Sequence, residues 1–485
     1  MPLVEDIFFL DPQFQGTLQS QIQQIVATAI LSGRFLPGDK LPSSRKLAAH
    51  LGISRITVTL AYNELVADDY LRSASKSGYF VSDTAPVSPD LHSGQTQGSD
   101  NVDWSLAVKN RFSGARLVDK HPDWRQYPFP FIYGQADPEL FNQSNWRLCA
   151  LQALGKRNFD ALTVDYAEAD DPELINFIVR HTLPRRGILA RPEQILITLG
   201  AQNALWMAAQ ILLDEDSHAV MENPGYPGLR DILQHSRCGI TATSVDAGGL
   251  PPDSIPTGAD VVFITPSHQC PTTATMPMER RRRMLKLAQD QDFLIVEDDY
   301  EFEMSFLTPP SPALKSLDCD GRVIYVGSFS KSIFPGLRLG YLVGSEPFIR
   351  QARALRSTTL RHPPGHIQRT TAYFLARGHY DAMIGQMRRA FQKRRNTMDA
   401  ALRHCGLDIA GSASFGGSSF WMKARDYVDM AVVAHELRKN GVLLEPGAPF
   451  FDGEETPRHY YRLAYSSIAD DKISKGVQLI AQALS

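Results

Sequence analysis

The sequence predicts a multidomain chain: an N-terminal unit of short helices with a small β hairpin, a polar connection, and a larger α/β unit. Three observations carry this. Capped amphipathic stripes crowd the first 82 residues; a stretch rich in Pro, Ser, Gly and Gln opens at Asp83; and beyond residue 160 short apolar runs alternate with longer helical ones. At 485 residues the chain is also longer than one hydrophobic core can use.

Composition narrows the class. Apolar residues at 43% and charged residues at 21% exclude a largely disordered or fibrous chain. A formal net charge of -3 means that nucleic-acid binding would need a local basic patch. The cysteines Cys149, Cys238, Cys270, Cys319 and Cys405 are scattered and never spaced as CxxC, so neither a disulfide framework nor a metal site is expected, and a reducing cytoplasm fits. No run approaches the ~20 apolar residues of a membrane span. The opening Met1-Pro2-Leu3-Val4-Glu5-Asp6 is acidic where a secretory leader would be basic. A cytoplasmic protein with no membrane partner is expected.

In the first unit, Ile22, Ile25, Val26, Ala29 and Ile30 form the apolar stripe of a helix that Gly33 can end. Pro42-Ser43-Ser44 supplies a turn and a cap for a second helix over Arg45–Leu51, closed by Gly52. Ser54 can cap a third over Arg55–Leu65, and the pair joined by Gly52-Ile53 reads as a helix-turn-helix. Tyr70-Leu71-Arg72 and Tyr79-Phe80-Val81 flank a turn and read as a hairpin wing. Residues 33 to 81 hold seven basic side chains (Arg34, Lys40, Arg45, Lys46, Arg55, Arg72, Lys76) against four acidic ones (Asp39, Glu64, Asp68, Asp69). Ser43, Ser44, Arg45, Ser54, Arg55 and Thr57 sit at helix N-termini, where N–H groups and hydroxyls hold phosphates and Arg55 or Thr57 can reach base edges; Lys76 and Gly78 lie on the wing. The plainer alternative is a protein-interaction module with ordinary caps. The run Ile30-Leu31-Ser32-Gly33-Arg34 through Leu65 closely resembles the winged helix of GntR-type transcription regulators, which implies double-stranded DNA as partner. Ile56 departs from the family pattern, where a polar residue is commoner beside the DNA-reading arginine.

In the second unit the strand candidates are Gln194–Leu199, His218–Glu222, Asp260–Thr265, Phe293–Glu297, Arg322–Val326 and Leu339–Val343, apolar enough to be covered on both faces. Ligands of such sheets sit at the carboxyl ends of strands. There Gly200 allows a tight turn that frees the N–H groups of Ala201 and Gln202; Glu297-Asp298-Asp299-Tyr300 sets three acids and a phenol where a strand is expected to surface; and Gly327-Ser328-Phe329-Ser330-Lys331 places an amine among small and apolar residues, where desolvation favours a nucleophilic lysine. Together these can hold an aldehyde-bearing pyridine phosphate. Lys331 would form the Schiff base, Asp298 would pair with the ring nitrogen, and Tyr300 would bond the ring hydroxyl. Tyr226 would stack on the ring; Ala201, Gln202, Ser328, Ser330 and Arg338 would gather the phosphate; and Arg462 would take an effector's acid group.

These motifs, with Thr265-Pro266-Ser267-His268-Gln269 and Asn223-Pro224-Gly225-Tyr226-Pro227-Gly228, resemble fold-type I aminotransferases, and the domain order is similar to that of the MocR/GabR family of regulators. The resemblance implies pyridoxal 5'-phosphate as cofactor. It also implies a winged helix-turn-helix over 1–82, a linker over 83–120 and an aminotransferase-like effector domain over 121–485, with a large lobe at about 165–350 and a small lobe mainly at 351–485. A head-to-tail homodimer is implied, with one winged helix on the partner's large domain and Tyr166 reaching the neighbour's phosphate. The expected function is transcription regulation by sensing an amino compound through aldimine exchange at Lys331. The alternatives are a regulator that senses pyridoxal phosphate itself and a working aminotransferase with a DNA-binding tether. Two departures bear on the ligand: Thr273 stands where relatives usually have glycine, so the loop is expected to differ in shape, and Gly228 supplies no second carboxylate-binding charge, which disfavours GABA.

Overall fold

The computed structural model describes residues 7–75, 77–86, 102–108, 121–135, 137–164, 168–412, 415–453 and 455–485. Lys76, Tyr166 and most of the expected linker lie outside the described residues. The chain divides into two compact units, Met1–Lys109 and Asn110–Ser485.

In the first unit, α1 (Leu18–Leu31) is capped by Thr17, whose hydroxyl accepts from the Ser20 N–H. In α2 (Ser44–Leu51) the cap is Ser43, and Gly52 closes the helix at φ 66°, a conformation that glycine adopts without steric cost. Ser54 caps α3 (Arg55–Ala67). The inward stripes meet as expected: Ile22, Val26, Leu47, Val58, Ala61 and Leu65 are buried in one core with Phe8, Leu71 and Val81. Tyr62, also buried there, donates its hydroxyl to the Pro42 carbonyl at 3.1 Å and so ties α3 to the turn before α2. The wing is an antiparallel pair, β1 (Leu71–Ala74) and β2 (Gly78–Val81), with Gly78 at φ 105°.

The second unit is built on a seven-stranded mixed sheet: β3 (Ile195–Thr198), β4 (His218–Asn223), β5 (Gly239–Ser244), β6 (Val261–Ile264), β7 (Leu294–Asp298), β8 (Val323–Ser328) and β9 (Gly340–Val343), in the order β3-β9-β8-β7-β6-β4-β5. The six expected strands are present, and β5 is an addition. Its Gly-Ile-Thr-Ala-Thr-Ser sequence lies at the sheet edge, largely accessible, and so lacks the apolar run that marks the others. β9 runs antiparallel to both neighbours, because the short segment after β8 holds only a 3-10 turn, Pro335–Leu337, and no α-helix to make the crossover a parallel strand needs. The helix α4 (Ala201–Leu212) leaves β3 directly and buries Ala204, Leu205, Met207, Ala208 and Ala209 against the sheet.

The rest of the unit carries a four-stranded antiparallel sheet ordered Asp408–Ile409, Ser419–Lys423, Tyr460–Ala464 and Glu445–Pro446. The long helix His379–His404 and the last helix, Asp470–Leu484, pack with it in a shared core. A two-residue parallel pair, Phe129–Pro130 with Val442–Leu443, fastens the segment before Tyr133 to the one before Glu445. Among the described residues no helix is long and apolar enough to cross a membrane, and no cluster is able to hold a metal ion.

Candidate functional site

The carboxyl ends of β3, β7 and β8 open onto a cavity of about 320 Å³. Ala201, Gln202, Tyr226, Asp298, Tyr300, Ser328, Ser330, Lys331, Arg338 and Arg462 all line it, although they are spread over 262 positions of sequence.

One end suits an anion. Gly200 sits at φ 86° between β3 and α4, and its turn leaves the first N–H groups of a 12-residue helix pointing outward with the positive end of the helix dipole. A β-carbon added at Gly200 would lie 3.5 Å from both the Ser330 hydroxyl and the Arg338 guanidinium, so these groups converge on one spot. Arg338 donates to the Leu199 carbonyl at 3.1 Å, and the buried Ser330 hydroxyl has no hydrogen-bond partner among the described residues.

The middle holds the acid and the amine. The expected surfacing of β7 is not what forms: Glu297, Asp298 and Asp299 are all buried. The outer two are structural anchors. Glu297 accepts the Leu314 and Lys315 N–H groups at 2.8 and 2.7 Å, while Asp299 pairs with Arg186 at 2.6 Å and accepts from the Tyr325 hydroxyl at 2.8 Å. Asp298 faces the cavity with Oδ1 unpartnered, and burial, with Asp299 and Glu222 adding repulsion, pushes its carboxyl up to about 7. A buried carboxyl in that condition is a site for a cation. The Lys331 ammonium lies 4.3 Å from the centroid of the Tyr133 ring.

The far end is anchored by Arg462. Buried, with its guanidinium 4.0 Å from the Tyr133 ring centroid and 4.7 Å from that of Phe450, it donates Nε to Glu445 at 2.7 Å. Burial works against its charge, and Glu445 more than restores it. Glu445 also accepts the Tyr133 N–H at 3.2 Å, so one carboxylate sets both residues. Beneath, Glu301 pairs with His268 at 3.1 Å and accepts from the Ser418 hydroxyl; burial would raise its carboxyl, but these two partners outweigh that and hold it below the usual range.

Sequence reasoning missed Tyr133, Glu445 and Phe450, and treated Cys270, which also lines the cavity, only as a loop residue. The runs Phe131-Ile132-Tyr133-Gly134 and Leu443-Leu444-Glu445-Pro446-Gly447 each end an apolar stretch in a polar residue and a turn, a signal of the same kind as the one that marked Asp298. The loop that carries threonine where glycine is usual makes a tight turn at that residue. Thr273 itself adopts φ 62°, with its N–H donated to the Gln269 carbonyl at 2.8 Å. This is a left-handed conformation that glycine would take freely and that costs a side-chain-bearing residue about 1–3 kcal/mol.

In the first unit Ser43 and Arg45 are exposed at the start of α2, and Ser54, Arg55 and Thr57 stand at the start of α3. Ser44 is buried and accepts from Arg55 Nε at 3.3 Å, so its hydroxyl aims the arginine instead of facing outward.

Comparison with known proteins matches residues 18–81 to "Bacterial regulatory proteins, gntR family" and residues 160–478 to "Aminotransferase class I and II". The HTH-type transcriptional regulator TauR of Rhodobacter capsulatus is 54% identical over the full length of both chains. The probable rhizopine catabolism regulatory protein MocR of Rhizobium meliloti is 31% identical, over 81% of this chain and 79% of its own. An archaeal alanine:glyoxylate aminotransferase shares the fold, with a TM-score of 0.72 and 23% identity over 79% of this chain and 99% of that one.

Proposed function

Since the chain belongs to the MocR family of regulators, a GntR-type helix-turn-helix joined to an aminotransferase class I and II domain that implies pyridoxal 5'-phosphate, we propose that it controls transcription in response to an amino compound received at Lys331. The observation that carries this is the convergence in one cavity of the Lys331 amine, an unpartnered buried carboxyl oxygen on Asp298 and an unpartnered hydroxyl on Ser330, in a chain that also keeps capped helices with Arg45 and Arg55 at their starts.

These residues fit the cofactor. When bound, it supplies an aldehyde carbon open to amines and a pyridine ring that withdraws electrons once protonated. Asp298 would hold the proton of the ring nitrogen, Tyr300 would hydrogen-bond the ring hydroxyl and Tyr226 would cover a ring face. The N–H groups of Ala201 and Gln202, with Ser328, Ser330 and Arg338, hold the phosphate. Lys331 would hold the group through its amine at the place where an effector amine would arrive, while Arg462, aimed by Glu445, would take the effector's acid end. Tyr133 spans the Lys331 and Arg462 cations with its ring and keeps the two ends of the effector at a fixed separation. Binding then becomes regulation if it favours one arrangement of a dimer that presents two winged helices to two half-sites in the cytoplasm.

The test is a DNA-binding titration of wild type and Lys331→Ala, with and without pyridoxal phosphate and a panel of short amino acids and amino sulfonates. The wild type should change its affinity when a cognate amine is added to the cofactor-loaded protein, and Lys331→Ala should lose the response. An unchanged response in the variant removes the covalent step, a full response to cofactor alone makes the cofactor the signal, and sustained turnover of an amino donor makes the protein an enzyme.

A further inference from the structure

The outward face of α3 carries an apolar stripe that the core does not use. Val58, Ala61, Tyr62 and Leu65 of this helix point into the core, whereas Ile56 is 70% exposed and Leu60 47%. They are four positions apart, on one face of the helix, and Ile56 lies in its first turn. Two large aliphatic side chains on the outside of a segment whose residues 33 to 81 carry seven basic against four acidic side chains need a partner that is apolar at the centre and anionic around it.

The surroundings identify that partner. Arg55 precedes Ile56 and is steadied by Ser44; Arg45 and Lys46 stand exposed on α2; and the first turns of α2 and α3 carry no acid. The acid nearest on α3, Glu64, is engaged by Gln23 of α1. Farther along the same face, Asn63 accepts from the Tyr79 hydroxyl of the wing at 3.1 Å and is drawn towards it. Among base edges in the major groove, thymine alone offers an apolar group, its C5-methyl, and residues in the first turns of a recognition helix are the ones that reach those edges. Phosphates on either side would take up Arg45, Lys46 and the neighbouring N–H groups.

Resting on the DNA-binding reading above, we propose that Ile56, extended by Leu60 one turn on, reads thymine methyl groups in the major groove and thereby fixes where A·T pairs stand in the operator. Ile56 is a specificity residue: it adds little to affinity for arbitrary DNA, which the cations supply, and discriminates at one or two base pairs.

The test uses the full chain with its cofactor. Wild-type protein is first used to select duplexes from a random pool, and each thymine of the selected site is then replaced singly by deoxyuridine, which removes only the methyl. At one or two positions wild type should bind the uracil duplex about threefold to fivefold more weakly, the scale of one buried methyl group. Ile56→Ala should bind the thymine and uracil duplexes equally there while keeping its salt dependence, and Leu60→Ala should do so at the adjacent position. Because the methyl is deleted from the DNA, the wild-type half of the test does not depend on a variant folding. Equal binding of thymine and uracil at every position would overturn the proposal, as would a full preference for thymine retained by Ile56→Ala. A wild type that selects no duplex at all would overturn the DNA-binding reading itself, and this with it.

Discussion

Asp298 ends its strand with one carboxyl oxygen unsatisfied, and the consequence falls on the cofactor-free protein. Its carboxyl moves from an ordinary 3.8 up to about 7, so the folded state holds the proton more tightly than the unfolded chain does. Stability from a group shifted upward is fully present below the unfolded value of about 4 and is lost as pH climbs through 7; the whole shift corresponds to about 4 kcal/mol at most. Glu222 and Glu303, pushed by burial to about 7, and Glu297, pushed to about 6, act in the same direction. Glu301, held low by His268 and Ser418, acts in the opposite one. On the proposed reading, a pyridinium against Asp298 would supply the missing cation and remove its share of the loss. Pyridoxal phosphate should therefore raise the melting temperature more at pH 8 than at pH 5.5. Asp298→Asn should flatten part of the fall in stability that the cofactor-free protein shows between those values. Parallel pH profiles for wild type and Asp298→Asn would show that this carboxyl does not titrate as described.

At the scale of elements, the Gly200 turn proposed to take the phosphate depends on a strand that contributes no ligand to it. Gly340, the first residue of β9, pairs with Thr198 and Ser328, and a β-carbon there would lie 2.9 Å from Gly200 Cα and 2.8 Å from the Gly327 carbonyl. Backbone on both sides cannot yield as a side chain end would. Gly340→Ala should thus cost about 1–3 kcal/mol of stability through overpacking. It should also displace the Gly200 turn and weaken cofactor retention roughly tenfold, the equivalent of about 1.4 kcal/mol, read by absorbance titration and by thermal melting. Full retention with only a stability loss would separate the strand from the turn. The same geometry explains what could be read in advance. Strands buried on both faces announced themselves as apolar runs, and the residues that follow them line the cavity because sheet topology brings carboxyl ends together. The orientation of β9 left no mark in its Gly-Tyr-Leu-Val sequence, since a strand buried between two neighbours is as apolar whether it runs parallel or antiparallel to them. Tyr133 and Glu445 were harder to see for a different reason: each follows a strand of only two residues, too short for its apolar run to stand out, and the two residues are 312 positions apart at their shared hydrogen bond.

The molecule as a whole has at least two separable cores. Phe8, Ile22, Val26, Leu47, Val58 and Leu71 close one among residues of the first unit alone, while the clusters around the seven-stranded sheet draw only on the second. Units with their own cores unfold as their own cooperative steps unless a large apolar interface couples them. The residues expected to hold pyridoxal phosphate all belong to the second unit, so the free energy of binding stabilises that step and not the other. Calorimetry of the full chain should therefore show two transitions. Cofactor at about one hundred times its dissociation constant should raise the larger by the equivalent of about 2.7 kcal/mol and leave the smaller in place. Lys331→Ala should shrink that rise without moving the smaller transition, because the lysine contributes nothing to the helical core. A single transition that shifts as one with cofactor would mean that the units melt together, and a signal could then pass between them through shared packing. Two transitions with one responsive would instead require the signal to pass through the arrangement of subunits, which is the form the proposed sensing takes.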